Sequence, residues 1–324
     1  MDSTNALGLR LAATLDGPTW FLAHEQTAGK GRRARAWASP RGNFYATLIL
    51  HPTEPAAEVA LRSFAAALAL REALVALTGL PQAFALKWPN DVLLNGGKVA
   101  GILLEAQGGS NGLVAHLAIG IGVNLIAAPD PALIEAGAAP PVTLLHETGL
   151  RVTPEHLLAH LAPAYAGWER RFQAEGFAPL RAEWLAHAAR LGEPITARTG
   201  NATRQGRFDT IDLTGALILS TPQGRQAIPA ANRARTATSK ATTSQRVARA
   251  RPSCAMRCSR CAASARSRSA SSRDCASRSA MACRSSACHC STFTRFTSAA
   301  SLASMKSCTA SNSSVAAPGA LPSA

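Results

Sequence analysis

Between Phe84 and Leu125 the chain alternates short apolar runs with turn-forming residues. The runs are FALKW, DVLLN, KVAGILLEA and GLVAHLAIGIGVNL, and the separators include Asn95-Gly96-Gly97 and Gly108-Gly109-Ser110-Asn111-Gly112. Asn-Gly pairs tolerate the positive φ angles of tight hairpins, so consecutive runs fold back on each other. This predicts a mostly antiparallel central sheet rather than a doubly wound parallel one. Around it, STNALGLRLAATL reads as a helix capped by Ser3 or Asp2, and TWFLAHEQ and NFYATLIL as strands. Residues 57–77 form an Ala/Leu helix, and Thr153 with Pro154 opens another. APLRAEWLAHAA supplies a further helix. Residues 191–230 switch to short strands with glycine turns, a small separate β module.

The chain changes character at Ala231. From there on it has fifteen Lys or Arg and one acid, Asp274, whereas residues 1–230 carry 19 bases and 18 acids. All eight cysteines also lie in this C-terminal stretch, at 254, 258, 261, 275, 283, 288, 290 and 308. The high pI therefore belongs to the tail, and a cysteine-free body fits a reducing cytoplasm. The N-terminus MDSTNALGLR has no signal-peptide pattern, and the longest apolar stretch is interrupted by Arg71 and Glu72. The expectation is a soluble cytoplasmic protein with no membrane partner. Residues 231–324 lack apolar periodicity and are expected to be disordered. Three readings stand for them: a wrong-frame translation of GC-rich DNA, an arginine-serine arm for nucleic acid, or a zinc site. The spacings C-x3-C-x2-C and C-x4-C-x-C match no ordinary paired zinc arrangement.

Four stretches of the body carry polar residues that a plain core does not need: DSTN (2–5), QTAGKGRRARAW (26–37), KWPNDVLLNGGKVAGILLE (87–105) and GIGVNL (120–125). In the second, glycines flank Lys30 and are followed by Arg32, Arg33 and Arg35. Glycine lets backbone N–H groups approach an anion, and Arg supplies bidentate donors. It is not a P-loop, and GIGVNL does not complete a dinucleotide fingerprint. In the third, Lys98 opens an apolar strand, which is costly unless an anion lies beside it. Asp91 could hold magnesium. Taken alone, these stretches also fit an exposed basic turn and a surface hairpin. His156 and His160 are spaced i, i+4 but lack the H-E-x-x-H order of a zinc helix.

Together the four stretches resemble the biotin–protein ligase family, the biotin–[acetyl-CoA-carboxylase] ligases, over about residues 2–230. The resemblance implies an α+β fold of the class II synthetase-like biotin/lipoate ligase type. It divides the chain into a catalytic domain (1–188), an SH3-like β module (189–230) and the tail (231–324). It implies that ATP, with magnesium, converts biotin to biotinyl-5′-AMP, which then acylates one lysine of a biotin carboxyl carrier protein. By position, Ser3, Thr4, Asn5 and Gln26 would bind the biotin ureido group. Lys30, Gly31 and Arg32 would line the carboxylate and phosphate path, with Lys98 on the reacting oxygens. Trp37 would face adenine, while Arg35, Asn90, Asp91 and Asn124 would serve ATP and its metal. Lys98 and Arg32 would be the catalytic pair. No winged helix precedes the STN motif, so specific DNA binding is not expected. Ala34 stands where many relatives have glycine, and the module's last strand is expected to be lost at Ala231. The competing readings are a lipoate-type acyl ligase and a basic nucleic-acid-binding protein acting through the tail.

Overall fold

In the computed structural model, α1 (Thr4–Leu11) leads through a short 3-10 turn into β1 (Thr19–Ala23), and β2 is Phe44–Leu50. Two helices follow, α2 (Ala56–Val59) and α3 (Arg62–Thr78). A meander then runs through β3 (Phe84–Lys87), β4 (Asp91–Leu94), β5 (Gly97–Gly108) and β6 (Val114–Val123). Helices α4 (Leu144–Thr148), α5 (Pro154–Glu175) and α6 (Phe177–Ala186) precede a second set of strands. These are β7 (Pro194–Thr199), β8 (Ala202–Ile211), β9 (Leu217–Thr221) and β10 (Gly224–Ile228), with β11 (Thr294–Phe296) far along the chain. The structure describes residues 1–109, 112–130, 137–199, 202–230 and 294–296. All lie in one compact unit, Met1–Ala237 together with Ser291–Ala324.

The larger sheet has the order β11-β1-β2-β6-β5-β4-β3 and every neighbouring pair is antiparallel. The Asn-Gly signal is borne out: Asn95 (φ 50) and Gly96 (φ 82) turn β4 into β5. Alternation divides the sheet into two faces. On β6, Leu117, Ile119, Ile121 and Val123 enter the main core with Phe64, Leu70, Leu74 and Leu161 of the helices. The opposite face meets α1, where Phe21, Ile49 and Ala118 pack with Ala12 and Leu15 in a smaller cluster. Beyond that cluster the same face carries Thr47, Gly120, Gly122 and Gly101, too small or too polar to build a core. The candidate site lies along that strip.

The single helix expected over 57–77 is two helices, broken around Ala60 and Leu61. The break places Arg62 inside the structure, where its guanidinium meets Glu54 at 2.7 Å and Glu169 at 2.9 Å. A buried charge persists only when paired, and this one ties α3 to α5. Thr153 caps α5 as the sequence indicated, accepting from the His156 N–H. The second sheet has the order β10-β9-β8-β7, and Trp88 Nε1 donates to the Gly215 carbonyl at 3.1 Å. Arg181 of α6 also bonds to Thr210 Oγ1.

Within the stretch expected to be disordered, the structure describes three residues. β11 pairs with β1 in the register Trp20↔Phe296, Leu22↔Thr294. An edge strand presents unpaired N–H and C=O groups that accept a further strand, which is the physical reason. Residues 231–293 and 297–324, with all the cysteines and the zinc and nucleic-acid readings placed on them, lie outside the described residues. Among those described, no helix is long and apolar enough to cross a membrane.

Candidate active site

Ser3, Thr4 and Asn5 are buried at the start of α1. Ser3 holds the N-cap position, yet its hydroxyl makes no capping bond. Gln26 reaches this turn from the loop after β1: its Oε1 accepts from Thr4 N–H at 2.9 Å. The Gln26 amide is oriented by Ser39, which accepts from Nε2 at 3.1 Å while donating to the Trp37 carbonyl. Asn5 Nδ2 donates to Glu105 of β5 at 2.9 Å. Between Thr4 and Asn5 stands the buried Thr47 hydroxyl of β2, 2.7 Å from Thr4 Oγ1 and 2.6 Å from Asn5 Oδ1. Gly120 leaves room for the Asn5 amide, since a methyl there would lie 2.3 Å from Asn5 Oδ1.

The basic loop closes on itself as a small hairpin. Trp37 N–H donates to the Gly29 carbonyl and Gly31 N–H to the Arg35 carbonyl, with a Lys30↔Ala36 bridge between them. Its tip is a 3-10 turn, Arg32–Ala34, in which Arg33 adopts φ 59. Lys30 and Arg35 are exposed, whereas Arg32 turns inward to donate to Asn90 Oδ1 at 3.2 Å. Burial pulls the Arg32 guanidinium below its ordinary pKa, and the charge of Asp91 partly offsets this. Asn90 is held in turn by its own Nδ2, which bonds to the Ile102 carbonyl.

Lys98 and Asp91 face each other across the β4–β5 hairpin, with Nζ 2.7 Å from Oδ1. The anion required beside a lysine that opens an apolar strand is supplied by the chain itself. Lys98 Nζ also lies 5.5 Å from the centre of the Trp37 ring. Trp37 rests on a floor of two glycines: a methyl on Gly122 would lie 2.7 Å from the ring and one on Gly101 3.1 Å. Its Nε1 is buried and bonds to nothing among the described residues. Asn124 is buried just beyond β6, where its amide donates to the Val142 carbonyl at 3.2 Å. It ties the 140–144 segment to the start of β5, whose Lys98 N–H bonds to the Pro140 carbonyl.

The four stretches named from sequence thus converge on one face of the sheet. Thr4 meets Gln26, Arg32 meets Asn90, and Lys98 meets both Asp91 and Trp37. Sequence reasoning missed Thr47, Glu105, Ser39 and the glycine floor. A threonine inside the apolar run NFYATLIL was the available signal for the first. Among the described residues no cluster of three or more His, Cys, Asp or Glu could hold a metal alone.

A pocket of small polar groups thus lies beside a cationic loop, a paired lysine and a glycine-floored tryptophan. The biotin/lipoate A/B protein ligase family model matches residues 1–124, and the biotin protein ligase C-terminal domain model matches residues 191–232. The chain belongs to this family. It is 57% identical over 230 residues to the biotin–[acetyl-CoA-carboxylase] ligase of Paracoccus denitrificans, covering 71% of this chain and 95% of that protein. It is also 31% identical over 222 residues to the bifunctional ligase/repressor BirA of Escherichia coli (strain K12), covering 68% and 67% respectively. The biotin protein ligase from Aquifex aeolicus in complex with biotin and ATP aligns with a TM-score of 0.58 at 26% identity, covering 70% of this chain and 91% of that one.

Proposed function

We propose that this chain activates biotin with ATP and transfers it to a lysine of a biotin carboxyl carrier protein in the cytoplasm. The observation that carries the reading is the meeting of Lys98, Asp91 and Trp37 under the Arg32 loop, next to the Thr4–Gln26 pocket. A carboxylate oxygen of biotin attacks the α-phosphate of ATP and pyrophosphate leaves. The amine of the carrier lysine then attacks the anhydride carbonyl, loses a proton and releases AMP.

Each group has a part. Ser3, Thr4, Asn5 and Gln26 hold the ureido ring. Lys98 is aimed by Asp91, 2.7 Å away, until substrate oxygens share its ammonium, where negative charge builds in the transition state. Arg32, with Lys30 and the Gly31 backbone, lines the path from carboxylate to phosphate and shields the anhydride from water. Trp37 offers adenine an apolar face, with Arg35 and Asn124 on the nucleotide side. Magnesium usually takes one or two carboxylates, the rest of its ligands being phosphate oxygens and water. Asp91, whose Oδ1 meets Lys98, would offer its other carboxylate oxygen for that sparse protein share, and a bound ion would neutralise triphosphate charge.

The test is pyrophosphate release by the full chain with ATP and biotin, followed by label transfer to a purified carrier domain. Release that requires biotin supports the reading. Release driven equally well by lipoate would favour a lipoate-type acyl ligase instead.

A further inference from the structure

The hydroxyl of Thr4 sits in a chain of hydrogen bonds whose two ends are fixed. At one end the Glu105 carboxylate can only accept, so Asn5 turns Nδ2 toward it and Oδ1 toward Thr47. At the other end Ser39 spends its proton on the Trp37 carbonyl, so Gln26 turns Nε2 to Ser39 and Oε1 to Thr4. Between them lie three oxygen–oxygen contacts: Thr47 to Asn5 Oδ1 at 2.6 Å, Thr47 to Thr4 at 2.7 Å, and Thr4 to Gln26 Oε1 at 3.2 Å. Only two hydroxyl protons are available for three contacts. Two oxygens that close repel unless a proton lies between them. The two short contacts therefore take the protons, and Gln26 Oε1 is served by the Thr4 N–H at 2.9 Å. The order is Thr4 O–H to Thr47 O–H to Asn5 Oδ1.

We infer that Thr47 is a positioning residue that polarises this relay, so that Thr4 offers a ligand lone pairs only. Such a pocket selects a ring N–H at Thr4 and rejects a ring oxygen, which would face lone pair to lone pair. This rests on the biotin reading above and deepens it: the site discriminates a urea ring from a carbamate ring, and the buried Thr47 sets the sign.

The experiment compares kcat/KM in biotin-dependent pyrophosphate release for biotin and for the two analogues in which one or the other ring N–H is replaced by oxygen. Wild type is expected to reject at least one analogue by roughly a hundredfold or more, since a site built for a donor is left with mismatched oxygens. In Thr47→Val the Thr4 hydroxyl loses the acceptor that fixes its proton, which can then turn to Gln26 Oε1 or to a ligand oxygen. Discrimination against that analogue should fall about tenfold, and KM for biotin rise by a similar factor, with KM for ATP unchanged. Thr47→Ser should restore both. Equal use of biotin and both analogues by wild type overturns the relay whatever the variants do. So does a rise in KM for Thr47→Val with the discrimination intact, which marks a purely structural threonine. No pyrophosphate release with biotin in the wild type would defeat the biotin reading itself, and the relay with it.

Discussion

Trp37 reaches the sheet because Gly122 and Gly101 have no side chains there, and its ring fills the space a methyl would occupy. Gly122→Ala should lift the ring and disturb both the face proposed for adenine and the Lys98 contact. Overpacking of this kind costs about 1–3 kcal/mol. The expected outcome is a KM for ATP raised about tenfold, with KM for biotin nearly unchanged, read from initial rates of pyrophosphate release. An unchanged KM for ATP would remove Trp37 from the nucleotide site. At this scale, residues in unusual polar stretches were legible in the sequence: Ser3, Thr4, Asn5, Gln26, Arg32, Asn90, Asp91 and Lys98 all gather here. Thr47, Glu105 and the glycines were not, because their meaning lies in register. Leu103 stands opposite Gly120 and Gly120 opposite Thr47 only once β5, β6 and β2 are paired. The Lys98 partner was half legible, since the sequence demanded an anion and the hairpin supplied Asp91.

The hairpins were legible because Asn95-Gly96 carries its own turn chemistry, and α5 because Thr153-Pro154 caps it. The break between α2 and α3 was not, as nothing local to residues 57–62 reveals that Glu54 and Glu169 will enclose Arg62. One pairing of elements also sets a pH response. His116 on β6 stands edge-to-face with His51 at the end of β2, ring centres 5.1 Å apart. Burial first, and the nearby His51 second, lower the His116 pKa from its ordinary 6.5. Below 6.5 the unfolded chain therefore binds more protons than the folded one, so this histidine's stabilisation is complete above 6.5 and is lost as pH falls toward the lowered value. Urea unfolding at a series of pH values should show stability declining over that window in wild type. The decline should be shallower in His116→Gln, and equal slopes would remove the histidine from the response.

The whole molecule divides its labour by chain position. Every group assigned to chemistry lies between Ser3 and Asn124, whereas the tail contributes to the described structure only the three residues that pair with β1. Truncation after Ala230 should leave biotin-dependent pyrophosphate release within about twofold, because that edge pairing is with Trp20, Phe21 and Leu22, none of them assigned to the site. A larger loss would show that tail residues complete the fold. The central claim is that separate segments meet to form one adenylating centre around Lys98, and it is tested most directly by that reaction. Losing a contact made chiefly in the transition state costs about 3 kcal/mol, or roughly a hundredfold in rate. Biotin-dependent pyrophosphate release should therefore fall at least a hundredfold in folded Lys98→Ala. Lys98→Arg should recover only part of it, since a planar guanidinium cannot replace a compact ammonium against Asp91. Near-wild-type release by folded Lys98→Ala would contradict the claim and leave Lys98 as a hairpin charge paired with Asp91.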